Sequence, residues 1–76
     1  MVRAYVLIGT TPGKAIVVLA QIKGQVGVIK ADAITGEFDC IAQIEAPDLA
    51  GIGDLVVERI QRIDGVFKTV TCLAVR

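Results

Sequence analysis

The chain contains no histidine and no tryptophan, and only two of its 76 residues are cysteine. Histidine is the side chain whose charge changes nearest to neutral pH, so acid–base catalysis here would depend on carboxylates alone. Structural zinc sites need a cluster of cysteine and histidine ligands, and Cys40 and Cys72 are far apart in the sequence. We therefore expect neither an enzyme nor a metal-binding protein, and we expect no cofactor.

An excess of charge of either sign is also absent, because eight basic residues balance eight acidic ones. Proteins that bind nucleic-acid phosphates usually carry a surplus of lysine and arginine, so direct nucleic-acid binding is not expected. No apolar run reaches the length of about 20 residues that spans a bilayer. Arg3 interrupts the segment that would be apolar in a signal peptide. We expect a cytoplasmic protein with no membrane partner, in a compartment that keeps its cysteines reduced.

Apolar side chains are what the chain has in abundance, since they make up 54% of its residues. Domains shorter than about 80 residues usually need a disulfide, a metal or self-association to be stable. This sequence has no metal-site pattern and can form at most one disulfide. We therefore expect a homo-oligomer in which part of the apolar surface lies between subunits.

Four segments rich in β-branched residues are predicted strands, and two segments with helical periodicity lie between them. The strands are predicted over Val2–Gly9, Val26–Ile34, Phe38–Ala46 and Val66–Val75. The first helix is predicted to begin at Pro12, with Thr11 as its N-cap, and to end at Lys23. The second helix is predicted over Leu49–Ile63, with Asp48 as its N-cap.

Both predicted helices carry one apolar stripe at the i, i+3, i+4, i+7 spacing of a buried face. The stripe residues are Ala15, Val18, Leu19 and Ile22 in the first helix and Leu49, Ile52, Val56, Ile60 and Ile63 in the second. Away from the second stripe, Glu58 and Arg62 have the i, i+4 spacing of a favourable ion pair.

The order β-α-β-β-α-β is that of the ferredoxin-like fold, an α+β architecture. Right-handed crossovers place both helices on one face of a four-stranded antiparallel sheet, with the strand order four-one-three-two. In this order the strands that carry Cys40 and Cys72 are not neighbours, so no disulfide is expected between them. The other sheet face has no helix on it, and we expect the domain to dimerise through that face. The residues predicted for this interface are Tyr5, Leu7, Ile41, Leu73 and Val75.

A polar turn, Thr35-Gly36-Glu37-Phe38-Asp39, connects the second and third predicted strands. Gly36 suits a hairpin that needs a positive φ angle, and its missing side chain would also leave backbone N–H groups open to a ligand carboxylate. Asp39 either caps the turn or pairs with a ligand ammonium group. Thr69 and Thr71 alternate onto one face of the last strand. Their presence is explained either by β-propensity or by hydroxyl contacts to a ligand on the interface face.

Four segments of the chain together match one known family. They are Arg3-Ala4-Tyr5-Val6-Leu7-Ile8, Thr11-Pro12-Gly13-Lys14, the turn Thr35-Gly36-Glu37-Phe38-Asp39, and Ile63-Asp64-Gly65-Val66-Phe67-Lys68-Thr69-Val70-Thr71-Cys72. This combination resembles the effector-binding domain, or RAM domain, of Lrp/AsnC-type transcription regulators. Asp64 departs from the family pattern, which commonly has proline at that position. The resemblance covers essentially the whole chain as one domain, residues 1–76.

The resemblance implies a ferredoxin-like domain that dimerises through its sheets and often assembles further into octameric rings. It also implies that a small effector, usually an amino acid, binds in a cleft at the subunit interface. The matching residues for effector binding are Gly36, Glu37, Phe38, Asp39, Thr69 and Thr71. Family members normally carry an N-terminal helix-turn-helix domain, whereas Met1 here leads directly into the first strand. We therefore expect a stand-alone effector domain that co-assembles with full-length Lrp/AsnC regulators or modulates metabolism.

Two other functions are compatible with the same fold. One is a small dimeric αβ-barrel enzyme, but such chains usually carry a histidine, an asparagine or a tryptophan in the cavity, and this one has none of the three. The other is a purely structural assembly module, which differs from an effector domain only in having a closed interface cleft.

Overall fold

The computed structural model describes all 76 residues and has the predicted β-α-β-β-α-β order. Its strands are β1 Val2–Thr10, β2 Val28–Ala33, β3 Cys40–Ala46 and β4 Val66–Leu73. Its helices are α1 Ala15–Lys23 and α2 Leu49–Leu55, and α2 continues as a short π-helix over Val56–Ile60.

The four strands form one sheet in the order β2-β3-β1-β4, in which all neighbours are antiparallel. This is the predicted order, and the α+β ferredoxin-like fold is confirmed. The two central strands are β1 and β3, and the two edge strands are β2 and β4. The pairing of β1 with β4 shifts register between Gly9 and Thr10. This irregularity determines which side chains of β4 lie on the helix side of the sheet and which lie on the other side.

The core lies between the sheet and the helices, where 15 buried side chains form one cluster. The two central strands supply every second residue, namely Ala4, Val6 and Ile8 from β1 and Cys40, Ala42, Ile44 and Ala46 from β3. The helical layer supplies Val18, Ile22, Ile52, Leu55, Val56, Ile60 and Ile63. The alternation predicted for β3 is therefore confirmed. The residues between these positions form the opposite side of the sheet, which we call the open face.

The first helix begins three residues later than predicted, at Ala15 rather than at Pro12. Gly13 has a φ of 81°, which a right-handed helix does not allow. The Lys14 N–H donates to the Thr11 carbonyl at 3.1 Å, so residues 11–14 form a tight turn. The prediction of Thr11 as N-cap is wrong, because Lys14 occupies that position without a capping side-chain bond. The predicted end at Lys23 is confirmed.

The second helix begins as predicted, with the Asp48 carboxylate accepting a hydrogen bond from the Gly51 N–H at 2.8 Å. Further along, the Gln61 N–H donates to the Val56 carbonyl at 2.8 Å, which is the i to i+5 bond of a wide turn. Four of the five predicted stripe residues, Ile52, Val56, Ile60 and Ile63, are buried as predicted. Leu49, the first residue of α2, is 60% exposed, contrary to its predicted place in the stripe, whereas Leu55 is buried.

On the outer surface of this segment, the predicted ion pair is confirmed. The Arg62 guanidinium lies 3.1 Å from the Glu58 carboxylate, and both side chains are exposed.

Candidate functional site

The open face carries an apolar strip across three strands. Tyr5 and Leu7 on β1 and Ile41 on β3 lie on this face, as predicted. The register adds Val70 opposite Leu7 and Cys72 opposite Tyr5 on β4. Because no helix covers this side of the sheet, these five side chains are available to a second protein surface.

The open face becomes polar towards the other edge strand. A shallow depression of about 130 Å³ is lined there by Tyr5, Lys30, Asp32, Ile41 and Gln43. Lys30 and Asp32 belong to β2 and pair with open-face positions of β3. The apolar strip therefore lies on β1, β3 and β4, and the polar part of the face lies on the β2 side.

Two of the predicted interface residues do not lie on the open face. Leu73 pairs with Ala4, whose side chain is buried under the helices, so Leu73 points to the helix side of the sheet. Val75 lies beyond the end of β4 and is 94% exposed. The expected placement of both residues is thus wrong, and their part in a subunit interface stays a prediction.

The two threonines also lie on the helix side, because Thr69 pairs with Ile8 and Thr71 with Val6. Their expected placement on the open face is wrong for the same reason as that of Leu73. A change of one residue in phase moves every side chain of a strand to the other face. The sequence of β4 has no clean alternation of polar and apolar residues, so its phase depends on the register shift after Gly9.

The predicted polar turn lies between β2 and β3. Gly36 has a φ of 130°, a backbone conformation that favours glycine, and nothing lies within 4 Å of the position of a β-carbon. Glu37 beside it is exposed. The conformational reason for Gly36 is confirmed, and the open space above it leaves room for a ligand.

Asp39 joins this turn to the end of β1. Its N–H donates to the Ile8 carbonyl at 2.9 Å, and its carbonyl accepts from the Ile34 N–H at 2.9 Å. Its carboxylate accepts from the Thr10 N–H at 2.8 Å. Asp39 is half-buried, and its carboxylate has a structural partner.

The turn and the beginning of β4 lie at the same end of the sheet, because Ile8 pairs with Cys40 on one side and with Thr69 on the other. The Lys68 ammonium group lies 5.0 Å from the centre of the Phe38 ring, in a cation–π contact. We call this end of the sheet, residues 35–39 and 67–69, the rim. Thr71 is two residues further along β4 and lies outside it.

A groove of about 320 Å³ runs beside the rim and is lined by Gln61, Val66, Phe67, Lys68 and Thr69. The Gln61 amide donates to the Thr69 hydroxyl at 2.8 Å, which links the helical layer to the edge strand. Sequence reasoning did not single out Gln61, Phe67 or Lys68 as site residues. Only the sheet register, which places Lys68 near Phe38, reveals that they share one end of the molecule.

The two cysteines differ in environment. Cys40 is buried, and its thiol donates to the Ala15 carbonyl at 3.7 Å. Burial, and secondarily the charge of Asp39, raise the pKa of the Cys40 thiol above its ordinary 9.0. Cys72 is exposed on β4, separated from Cys40 by β1.

Neither a metal site nor a membrane span is found. No three His, Cys, Asp or Glu side chains lie close enough together to hold a metal ion. No helix has the length and apolar character needed to cross a bilayer.

Comparison with known proteins places the chain in one family. A family model described as the Lrp/AsnC ligand binding domain matches residues 3–76. An uncharacterized HTH-type transcriptional regulator of Pyrococcus furiosus, PF0250, is 31% identical over 74 residues, which are 93% of this chain and 49% of that protein. The chain thus spans about half the length of this curated relative.

Two solved structures superpose closely on the fold. The protein TTHA0845 of Thermus thermophilus has 29% identity and a TM-score of 0.94, with 100% of this chain and 95% of that chain covered. The transcriptional regulator NMB0573 of Neisseria meningitidis, solved as an L-Met complex, has 18% identity and a TM-score of 0.86, with 99% of this chain and 50% of that chain covered. At that identity the second likeness concerns the fold alone. Because the family model spans nearly every residue, the chain belongs to the Lrp/AsnC ligand-binding domain family, whose members are regulatory binding domains of transcription regulators.

Proposed function

We propose that this domain is a non-catalytic sensor that binds an amino acid or a related small metabolite at its rim, between subunits of a homo-oligomer. The observation that carries the proposal is the convergence of the turn 35–39 and the start of β4 at one end of the sheet. Family membership supports a regulatory binding role for that end. The L-Met complex of the Neisseria meningitidis regulator makes an amino acid the first ligand class to test.

The chemistry of the rim suits a zwitterion. Lys68 supplies a cation for an α-carboxylate, and Glu37 supplies an exposed anion for an α-ammonium group. Gly36 leaves the turn backbone unobstructed, and the ring of Phe38 forms an apolar wall that also holds Lys68 in place. The Thr69 hydroxyl lies beside them in the groove.

The remaining two predicted site residues have different roles in this proposal. Asp39 is a positioning residue, because its carboxylate is engaged by the Thr10 N–H. Thr71 contacts a ligand only if the ligand extends along β4 on the helix side.

Assembly follows from the open face. The apolar strip of Tyr5, Leu7, Ile41, Val70 and Cys72 supports dimerisation through the sheet, and a ring would repeat such dimers. In the cell we propose co-assembly with full-length Lrp/AsnC regulators. A cytoplasmic location is supported by the exposed free thiol of Cys72, which persists in a reducing compartment.

Calorimetric titration with each of the twenty common amino acids tests the proposal. We expect one or a few of them to bind, and binding to raise the melting temperature as ligand concentration increases. The Glu37→Gln variant should weaken that binding at least tenfold because it removes the partner of the ammonium group. The matched control is Asp54→Asn, which neutralises an exposed carboxylate on α2 and should bind as the wild type does.

Two results would count against this function. If no amino acid binds at millimolar concentration, the sensor role for this ligand class is wrong. If an amino acid binds equally well to both variants, the site lies elsewhere than at the rim.

A further inference from the structure

The depression on the open face brings together two side chains of opposite charge. Lys30 and Asp32 are both exposed and lie two residues apart on β2, so their Cα atoms are about 7 Å apart on the same face of the sheet. The only ion pair in the structure joins Arg62 and Glu58, so neither charge of the depression is paired. Each is therefore free to bind a group of the opposite sign.

Two polar side chains of the central strands face the same depression. Gln43 of β3 pairs with Lys30 on one side and with Tyr5 of β1 on the other, so the three side chains form a row across the sheet. The side-chain hydrogen bonds of the structure involve none of the three. Charges on β2 protect a sheet edge, but that role does not explain a half-buried glutamine on a central strand. The row is a set of unused hydrogen-bond donors.

The neighbouring row has the complementary chemistry. Asp32 pairs with Ile41, so a carboxylate, which only accepts hydrogen bonds, lies beside an apolar side chain. The depression spans both rows, and its volume of about 130 Å³ equals that of about four molecules of liquid water. A ligand that fits it therefore has an anionic group at one end, a cationic group at the other and a small body between them.

We propose that this depression is a second small-molecule site, which binds a zwitterion with a small side chain, such as glycine or alanine. The ligand carboxylate accepts hydrogen bonds from the Lys30 ammonium group, the Gln43 amide and the Tyr5 hydroxyl. The ligand ammonium group donates to the Asp32 carboxylate, and the ligand Cα lies over Ile41. Both ends are thus held by charge-assisted hydrogen bonds.

This site is separate from the rim. Tyr5 lies three residues before Ile8, the β1 residue that marks the rim, so the two sites are about 10 Å apart along the strand. An assembly through the open face would cover Lys30 and Asp32, and burial of charges without partners is strongly unfavourable. A bound zwitterion supplies a partner for each charge. The site therefore also suits a domain that associates through this face.

A nuclear magnetic resonance titration of the isotope-labelled protein with glycine tests the site. We expect glycine at concentrations of the order of millimolar to shift the amide resonances of residues 30–32 and 41–43. Acetate and methylammonium each carry one of the two charges of glycine, and each should bind at least tenfold more weakly. If either binds as tightly as glycine does, the two charges are not recognised together and the proposal is wrong.

Variants at the two charges test the assignment of the residues. Lys30→Gln and Asp32→Asn should each weaken glycine binding at these resonances at least tenfold, and the fold should persist because both side chains are exposed. The matched controls are Lys14→Gln and Asp54→Asn, which neutralise exposed charges elsewhere and should bind glycine as the wild type does. Glu37→Gln at the rim should also leave this binding unchanged.

The outcomes distinguish this site from the rim and from a subunit contact. If glycine shifts only the resonances of residues 35–39 and 67–69, it binds at the rim alone, and the second site is refuted while the proposed function stands. If glycine shifts neither region and Lys30→Gln or Asp32→Asn changes the mass in solution, the two charges pair with another subunit, which also overturns the proposal. Binding at the depression without binding at the rim would support this site and contradict the proposed function.

Discussion

Asp39 illustrates how the structure resolves alternatives that one residue leaves open. From the sequence, its carboxylate could cap the turn or pair with a ligand ammonium group. In the structure it accepts the Thr10 N–H at the very point where β1 shifts its register against β4. The neighbouring Glu37 is exposed and is the better candidate for an ammonium partner. No local pattern distinguishes the two acids, because their roles depend on a strand about thirty residues away.

The buried thiol of the single residue Cys40 predicts how the stability of the protein changes with pH. Burial raises the pKa of the Cys40 thiol, so the folded state holds its proton more tightly than the unfolded chain does. Its contribution to stability is therefore fully present below the ordinary thiol pKa of 9.0 and is lost as pH rises through the higher folded-state pKa. We expect the stability difference between wild type and Cys40→Ala to shrink as pH rises above the ordinary thiol pKa of 9.0. Urea unfolding across this range measures it.

The control for this experiment is Cys72→Ala, which removes the exposed cysteine and should follow the wild-type curve. If the curves of wild type and Cys40→Ala stay parallel over the whole range, the neutral buried thiol contributes nothing that depends on pH.

At the scale of secondary-structure elements, the sequence predicts where the strands lie. It predicts only in part which side chains of each strand face the helices. The order of the elements, the topology and the cap at Asp48 follow from turn residues and from strongly β-forming segments. On β3 the alternation was clear, and the sequence predicted its buried face. On β4 there was no such alternation, and the phase came from a register shift in a neighbouring strand. For that reason Thr69, Thr71 and Leu73 were assigned to the wrong face.

The start of α1 and the wide turn after α2 were likewise not predictable from local sequence. Thr11 and Pro12 have the sequence of a helix start, but the positive φ of Gly13 makes them a turn. The wide turn over Val56–Ile60 has no distinctive composition, so the sequence predicts an ordinary helix there, although Ile52, Val56, Ile60 and Ile63 are buried as predicted.

Two glycines of α2 give opposite predictions for the same substitution. At Gly53 nothing lies within 4 Å of the position of a β-carbon, so Gly53→Ala should stabilise the protein by about 0.5–1 kcal/mol through lower entropy of the unfolded chain. At Gly51 the β-carbon would lie 2.9 Å from Ala46 Cβ and 3.2 Å from the Asp48 carboxylate. Gly51→Ala should therefore cost about 1–3 kcal/mol. Chemical denaturation measures both changes, and equal signs would contradict the packing described for this helix.

On the scale of the whole molecule, the helices cover one side of the sheet and leave the other without a partner. Only 17 of the 76 residues are buried within one chain, although more than half of the residues are hydrophobic. A domain this small buries a low fraction of its surface, so association adds stability that the single core lacks. The rim lies at the end of this same sheet, and an assembly through the open face would bring side chains of two chains near it.

The assembly can be tested by placing a charge at the centre of the apolar strip. Leu7 lies between Ile41 and Val70 on the open face, and Leu7→Glu should prevent the close packing of two such faces, because a buried carboxylate without a partner is strongly unfavourable. Within one chain the new side chain points to solvent, so the fold should persist. We expect analytical ultracentrifugation to show a smaller species than the wild type. Ala50→Glu adds the same charge at an exposed position of α2 and should leave the assembly state unchanged. A Leu7→Glu protein that assembles as the wild type does would mean that the subunits meet through some other surface.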